Sequence, residues 1–325
     1  MQGQKAQFLG LLSILMLTFV SSASAHEPDD EVLTVAVIAD LNGSYGSMQY
    51  RVEVHEAVKW LVETGRPDLV ITTGDMVAGQ RAGLDYPGMW AAFHEAVTGP
   101  LTRAGIPLAV TPGNHDASAG NIFLDERIQY VYEWLRRRPQ VRFVDEGFYP
   151  LYYAFEVGPA LFISLDATLV GPLDDDQRRW LEFVLERHAD KEVKIVFGHV
   201  PLYPISHGRE HETLNDPALE ELFDRFGVDV MVSGHHHAYY PGRRGDLRLL
   251  AAGALGSGPR RLVGTNEVGP RTVVLIRIVN GEIESIEGYG GEGFSEVIRR
   301  EGLPESLNEG ELKIFRDDVL GSVQK

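Results

Sequence analysis

Residues 32–39 read VLTVAVIA, an unbroken apolar and β-branched run with no polar alternation. Such a strand must be covered on both faces, which demands a sheet with layers on either side. Similar runs return at 68–73, 107–111, 193–197 and 228–232, with helical stretches near 49–63, 89–103, 174–188 and 216–227. The helix signals are local and physical. Asp174 stands three residues before Gln177, the spacing of a capping box. Asp216-Pro217 opens another helix and Gly227 closes it. Residues 152–157 and 160–165, joined by Gly158-Pro159, predict a hairpin, and 272–278 with 282–288 predict a second around Asn280-Gly281. The expected fold is α/β with a mixed sheet covered by helices.

Composition narrows the chemistry. The 325 residues include no cysteine, which excludes a thiol nucleophile, a disulfide scaffold and thiolate metal sites. With 30 basic and 47 acidic residues the formal net charge is −17, a poor match for long nucleic acids. A phosphate substrate stays compatible if bound cations reverse the local field. Residues 1–25 have the make-up of a secretory leader. Lys5 precedes an apolar run at 8–20, and Ala23-Ser24-Ala25 precedes polar His26-Glu27-Pro28. The apolar run is too short to span a bilayer. The expectation is an exported, periplasmic or extracellular protein with no membrane anchor after cleavage. No Pro/Gly/Ser linker divides the remainder, so one domain is expected over 26–290, followed by a polar, weakly patterned and partly ordered tail at 291–325.

Five polar clusters follow five of the expected buried strands: Asp40 and Asn42; Asp75; Asn114, His115 and Asp116; His199; His235 and His237. Ligand sites of open α/β sheets lie at the carboxyl ends of strands. One such cluster means little. Five of them, built only from Asp, Asn and His, are the ligand set of a hard or borderline cation.

Gly74-Asp75, Gly113-Asn114-His115-Asp116, Gly198-His199 and Gly234-His235-His236-His237, preceded by Asp40-Leu41-Asn42, resemble the ordered motifs of calcineurin-like metallophosphoesterases. The resemblance covers about residues 32–290. It implies a two-sheet α/β sandwich flanked by helices, holding two divalent or trivalent ions (Mn, Fe, Zn or Mg). It implies that Asp75 bridges the ions, that Asp40 and His237 hold the first, and that Asn114, His199 and His235 hold the second. A water shared by two cations would be the nucleophile. His115 would donate to the phosphate and leaving oxygen, and Asp116 would orient the loop or the imidazole. The substrate would be a small phosphate ester, as monoester or diester.

One motif position departs from the family. His is usual where this chain has Asn42, for which three roles stand open: ligation through oxygen, contact with substrate, or a water in its place. Purple acid phosphatases also lack that His but place a Tyr three residues after the bridging Asp. Here that residue is Ala78. Around the cluster, Tyr45 is expected to border the pocket. His207 lies in a loop that either lines the substrate rim or is solvated, and Arg260 either steers phosphate or sits in a surface turn. His236, between two expected ligands, should point away. The competing class is a non-catalytic metal- or phosphate-binding protein on a degenerate phosphoesterase scaffold. A serine esterase lacks support, since no G-x-S-x-G elbow occurs.

Overall fold

The computed structural model of the chain describes residues 31–266 and 268–319. The leader read at 1–25 and the last six residues lie outside the described residues.

Two sheets form, flanked by helices. In the first, parallel strands β1 (Val32–Ile38), β2 (Leu69–Thr72) and β3 (Leu108–Val110) continue through β1 into antiparallel β11 (Val273–Val279), β12 (Glu282–Gly290) and β13 (Glu296–Val297). In the second, β6 (Ala160–Ser164), β7 (Val193–Phe197), β8 (Val230–Ser233) and β10 (Leu247–Ala251) run parallel. One flank adds β5 (Tyr152–Val157) and β4 (Arg142–Phe148), and the other adds β9 (Tyr240–Arg244), β15 (Leu312–Arg316) and β14 (Ser306–Glu309). The helices are α1 (Val52–Trp60), α2 (Tyr86–Phe93), α3 (Gly99–Arg103), α4 (Asn114–Ala117), α5 (Leu124–Leu135), α6 (Asp175–Arg187) and α7 (Pro217–Phe226).

β1, β2, β6 and β7 are buried almost throughout, as uninterrupted apolar strands must be. Asp174 and Asp216 accept from the first-turn amides of α6 and α7, and Gly227 ends α7 in the left-handed region. The two sheets are tied by polar bonds as well as by a shared core. The Tyr153 hydroxyl on β5 donates to the Val110 carbonyl at 2.7 Å and accepts from the Val110 N–H at 3.0 Å. The Thr111 hydroxyl donates to the Leu165 carbonyl at 2.7 Å. These bonds satisfy the free edge of β3 and hold the strand that delivers Asn114 and His115.

Several elements differ from expectation. Residues 291–319 carry β13, β14 and β15 and contribute to both sheets. Leu307 and Ile314 are buried, while Asn308, Glu309 and Lys313 are exposed. That alternation in short polar strands is why the segment reads as a tail. β4, β9, β10 and α5 have no counterpart in the reading above. β9 carries Pro241, Gly242, Arg243 and Arg244, a poor strand composition rescued by pairing on both sides.

Candidate metal centre

All five clusters converge at the carboxyl ends of β1, β2, β3, β7 and β8, where the two sheets meet. The backbone is strained there. Asp40, Asp75, His235 and His237 have φ values of 49, 54, 60 and 53°, a region that costs non-glycine residues roughly 1–3 kcal/mol each. The β2 and β3 loops also touch backbone to backbone. A Cβ on Gly74 would lie 2.5 Å from Gly113, and one on Gly113 would lie 2.1 Å from the Asp75 nitrogen. Those two motif glycines let Asp75 and Asn114 enter one site.

Ligand atoms of Asp40, Asp75 and His199 lie within 4.8 Å of one another, all buried. His237 Nε2 is 3.3 Å from Asp40 Oδ1, and its Nδ1 donates to the Gly258 carbonyl at 3.1 Å. His199 Nε2 is 3.4 Å from Asp75 Oδ1. Asp40 Oδ2 is sealed from solvent and has no hydrogen-bond partner among the described residues. Burial pushes the Asp40 carboxyl up, but His237, His199 and the His235 N–H outweigh it and hold it below the ordinary carboxylate range. Burial pushes His235 well down, with His199 adding to it, so that imidazole is neutral.

Hydrogen bonding fixes the lone pairs. His199 Nδ1 donates to the Thr73 carbonyl at 2.8 Å, leaving Nε2 as an acceptor. His235 Nε2 donates to Glu212 Oε2 at 3.1 Å, leaving Nδ1 as an acceptor. Asn114 Nδ2 donates to Gln80 Oε1 at 3.0 Å, leaving Oδ1 as an acceptor. These three acceptors face one another: Asn114 Oδ1 is 2.7 Å from His199 Nε2 and 3.0 Å from His235 Nδ1, and the two nitrogens are 3.2 Å apart. Three lone pairs at that spacing repel, and a single shared proton relieves at most one contact. A cation between them relieves all three. The donor set therefore fits a metal ion, and the buried Asp40/Asp75/His237 group beside it fits a second.

The other expected residues fall into place differently. Asn42 is buried, donates its N–H to the Asp75 carbonyl at 3.0 Å, and accepts from the Ser257 hydroxyl through Oδ1. His115 takes the rim. Its N–H donates to Asp75 Oδ1 at 2.8 Å, Nε2 is 4.0 Å from Asp75 Oδ2, and Nδ1 is 3.4 Å from the Gly79 carbonyl. Tyr45, half exposed, sets its ring 5.3 Å from that imidazole. Asp116 is buried behind the loop and accepts from Val77 N–H at 2.8 Å and Gly113 N–H at 3.0 Å, so it orients the backbone rather than the His115 ring. Burial, reinforced by Asp75, pushes its carboxyl well up. Arg260 donates to the His235 carbonyl at 3.1 Å and lines a cavity of about 630 Å³ with His237 and Ser257. His207 is not brought to the cluster; it is exposed and faces Glu210 at 3.4 Å. His236 points away: Nδ1 accepts from Ile205 and Ser206 N–H, and Nε2 donates to the Glu212 carbonyl at 2.9 Å. Sequence reasoning missed Gln80, Glu212 and Ser257. Of these only Gln80, five residues after Asp75, stood close to a motif.

Two sheets that gather Asp, Asn and His at their strand ends define a metal-binding α/β class. The profile of the calcineurin-like phosphoesterase family matches residues 33–239, and the chain belongs to that family. Purple acid phosphatase 18 of Arabidopsis thaliana is 32% identical over 170 residues, covering 50% of this chain and 37% of that one. A probable glycerophosphodiester phosphodiesterase, GpdQ, of Arcobacter nitrofigilis is 29% identical over 210 residues, covering 60% and 67%. The structure of a purple acid phosphatase from yellow lupin seeds superposes with a TM-score of 0.61 at 16% identity, over 83% of this chain and 53% of that one. The chain spans about two fifths of the length of the curated purple acid phosphatases it matches. Relatives are thus phosphatases and phosphodiesterases, and the family uses a dinuclear metal centre.

Proposed function

We propose that the chain is an exported, two-cation phosphoesterase that hydrolyses a small phosphate ester. The observation that carries the reading is the trio of mutually facing acceptors, Asn114 Oδ1, His199 Nε2 and His235 Nδ1, beside two buried carboxylates. Asp75 lies between the two groups and would hold both ions; Asp40 and His237 would hold one, and Asn114, His199 and His235 the other. Bound cations supply charge neutralisation at the phosphoryl oxygens and acidify a water nucleophile. The chain's own residues do the rest. His115 sets Nδ1 3.4 Å from the Gly79 carbonyl and would offer an Nε2–H to the departing oxygen. Arg260 adds a fixed positive charge at the cavity beside His237, where an anionic ester would enter. The net charge of −17 disfavours long polynucleotides. Export rests on the leader-like residues 1–25.

The test is hydrolysis of an aryl phosphate and of its bis-aryl diester by purified protein with added Mn²⁺. Turnover of either, abolished by chelation and restored by the ion, is expected; the ratio of the two rates assigns monoesterase or diesterase. Chelation-insensitive turnover overturns the metal mechanism. Two bound ions without turnover across a phosphoester panel favour the non-catalytic alternative.

A further inference from the structure

Glu212 belongs to no motif and lies in the loop between β7 and α7, with its side chain 39% exposed. It nevertheless holds two consecutive histidines with two different acceptors. Its carboxylate Oε2 accepts from His235 Nε2 at 3.1 Å, and its main-chain carbonyl accepts from His236 Nε2 at 2.9 Å. His236 is clamped on its other side by the Ile205 and Ser206 N–H groups at 3.1 and 3.2 Å. The ring must therefore be neutral with its hydrogen on Nε2, and it pins the Glu212 backbone. The loop is closed further by Glu212 N–H donating to the Arg209 carbonyl at 2.9 Å and Leu214 N–H donating to the Pro201 carbonyl at 2.9 Å. Arg209 also pairs with Glu212 Oε2.

We infer that Glu212 is a positioning residue that sets the tautomer and aim of His235. A neutral imidazole carries one hydrogen on either nitrogen, at nearly equal cost in water. Only the Nε2–H form presents the Nδ1 lone pair to Asn114 and His199. A carboxylate on Nε2 selects that form and raises the basicity of Nδ1. His236 supplies the rigidity, since it fixes where the Glu212 main chain lies. Arg209 donates to the same oxygen, Oε2, so the side chain does not swing to solvent. The inference rests on the two-cation reading for its consequence, but the tautomer exists without any ion.

The experiment uses the purified protein with ¹⁵N-labelled histidine, free of metal and then titrated with Mn²⁺ by calorimetry. In the metal-free wild type, His235 should show Nδ1 unprotonated and Nε2 protonated. Glu212→Ala should give a mixture of both tautomers and weaken one of the two Mn²⁺ affinities by about 10–100-fold, leaving the other within about threefold. Glu212→Gln keeps an acceptor at the same place; it should retain the wild-type tautomer and recover most of the affinity. A Glu212→Ala protein that keeps both the tautomer and both affinities overturns the role, as does a Glu212→Gln protein no better than Glu212→Ala. Far-ultraviolet dichroism of each variant checks that the loop change has not unfolded the chain. If the wild type binds no Mn²⁺, the phosphoesterase reading fails, while the tautomer comparison still decides the role of Glu212.

Discussion

Tyr153→Phe removes one oxygen that serves two buried backbone groups, and it should be costly. β3 is three residues long and pairs with β2 on one side only, so the backbone groups of Val110 that face away from β2 have no strand partner. The Tyr153 hydroxyl serves both, accepting from the N–H at 3.0 Å and donating to the carbonyl at 2.7 Å, and it is fully buried. Phenylalanine would fill the same space and leave both groups without water. A buried unpaired backbone group costs about 1–3 kcal/mol. Ser164 Oγ, 3.4 Å from the same carbonyl, offsets a little of the second loss. The expected destabilisation is therefore about 2–5 kcal/mol, read from urea unfolding followed by far-ultraviolet dichroism. Tyr152→Phe is the control, because its hydroxyl has no hydrogen-bond partner among the described residues and it lies partly exposed on the same strand; it should shift stability by less than about 0.5 kcal/mol. Because Val110 leads directly into the Asn114 loop, Tyr153→Phe should also weaken Mn²⁺ binding. A loss below about 1 kcal/mol, or equal losses in the two variants, refutes the claim that this hydroxyl caps the edge of β3.

His115→Ala should lower kcat for an alkyl phosphate by about 10²–10⁴-fold, with a smaller loss for a nitrophenyl ester whose leaving group needs no proton. Bound-ion content should not change, since His115 reaches the cluster only through Asp75; equal losses on both substrates would remove its role as acid. Acid should destabilise the metal-free chain through His94 and His236. Burial pushes each down to about 4, with Arg137 adding to it at His94 and Arg209 at His236, while Glu133 and the Glu212 carbonyl oppose. Both rings are neutral in folded and unfolded chain above about pH 6.5. Between about 6.5 and 4 only the unfolded chain takes the proton, so stability falls with pH by about 1.4 kcal/mol per pH unit for each ring. Unfolding curves across that interval should be shallower in pH for His94→Gln than for wild type, and identical slopes would sink the assignment.

What the sequence disclosed and what it withheld divide along a physical line. The residues that cluster were legible because each is a short polar break after a long apolar strand, and that break is a local pattern. Their partners were not. Glu212 meets His235 from 23 residues away, Ser257 meets Asn42 across 215, and Gln80 meets Asn114 across 34. Such pairs are products of chain topology, and no local pattern announces them. The strands β9, β14 and β15 were illegible for a related reason. β9 and β14 are too polar to form a sheet alone, β15 is only five residues long with Lys313 and Arg316 in it, and the neighbouring strands supply the partners. The site inherits this division. The atoms of the cluster come from the strand ends, where backbone strain at Asp40, Asp75, His235 and His237 is held by the surrounding sheets. Which lone pair each imidazole presents is decided one layer out, by a carbonyl at Thr73, a carbonyl at Gly258 and a carboxylate at Glu212. Two of those three acceptors are main chain, which no substitution can remove. Glu212 is the exception, and the tautomer of His235 is for that reason the most readily altered feature of the centre.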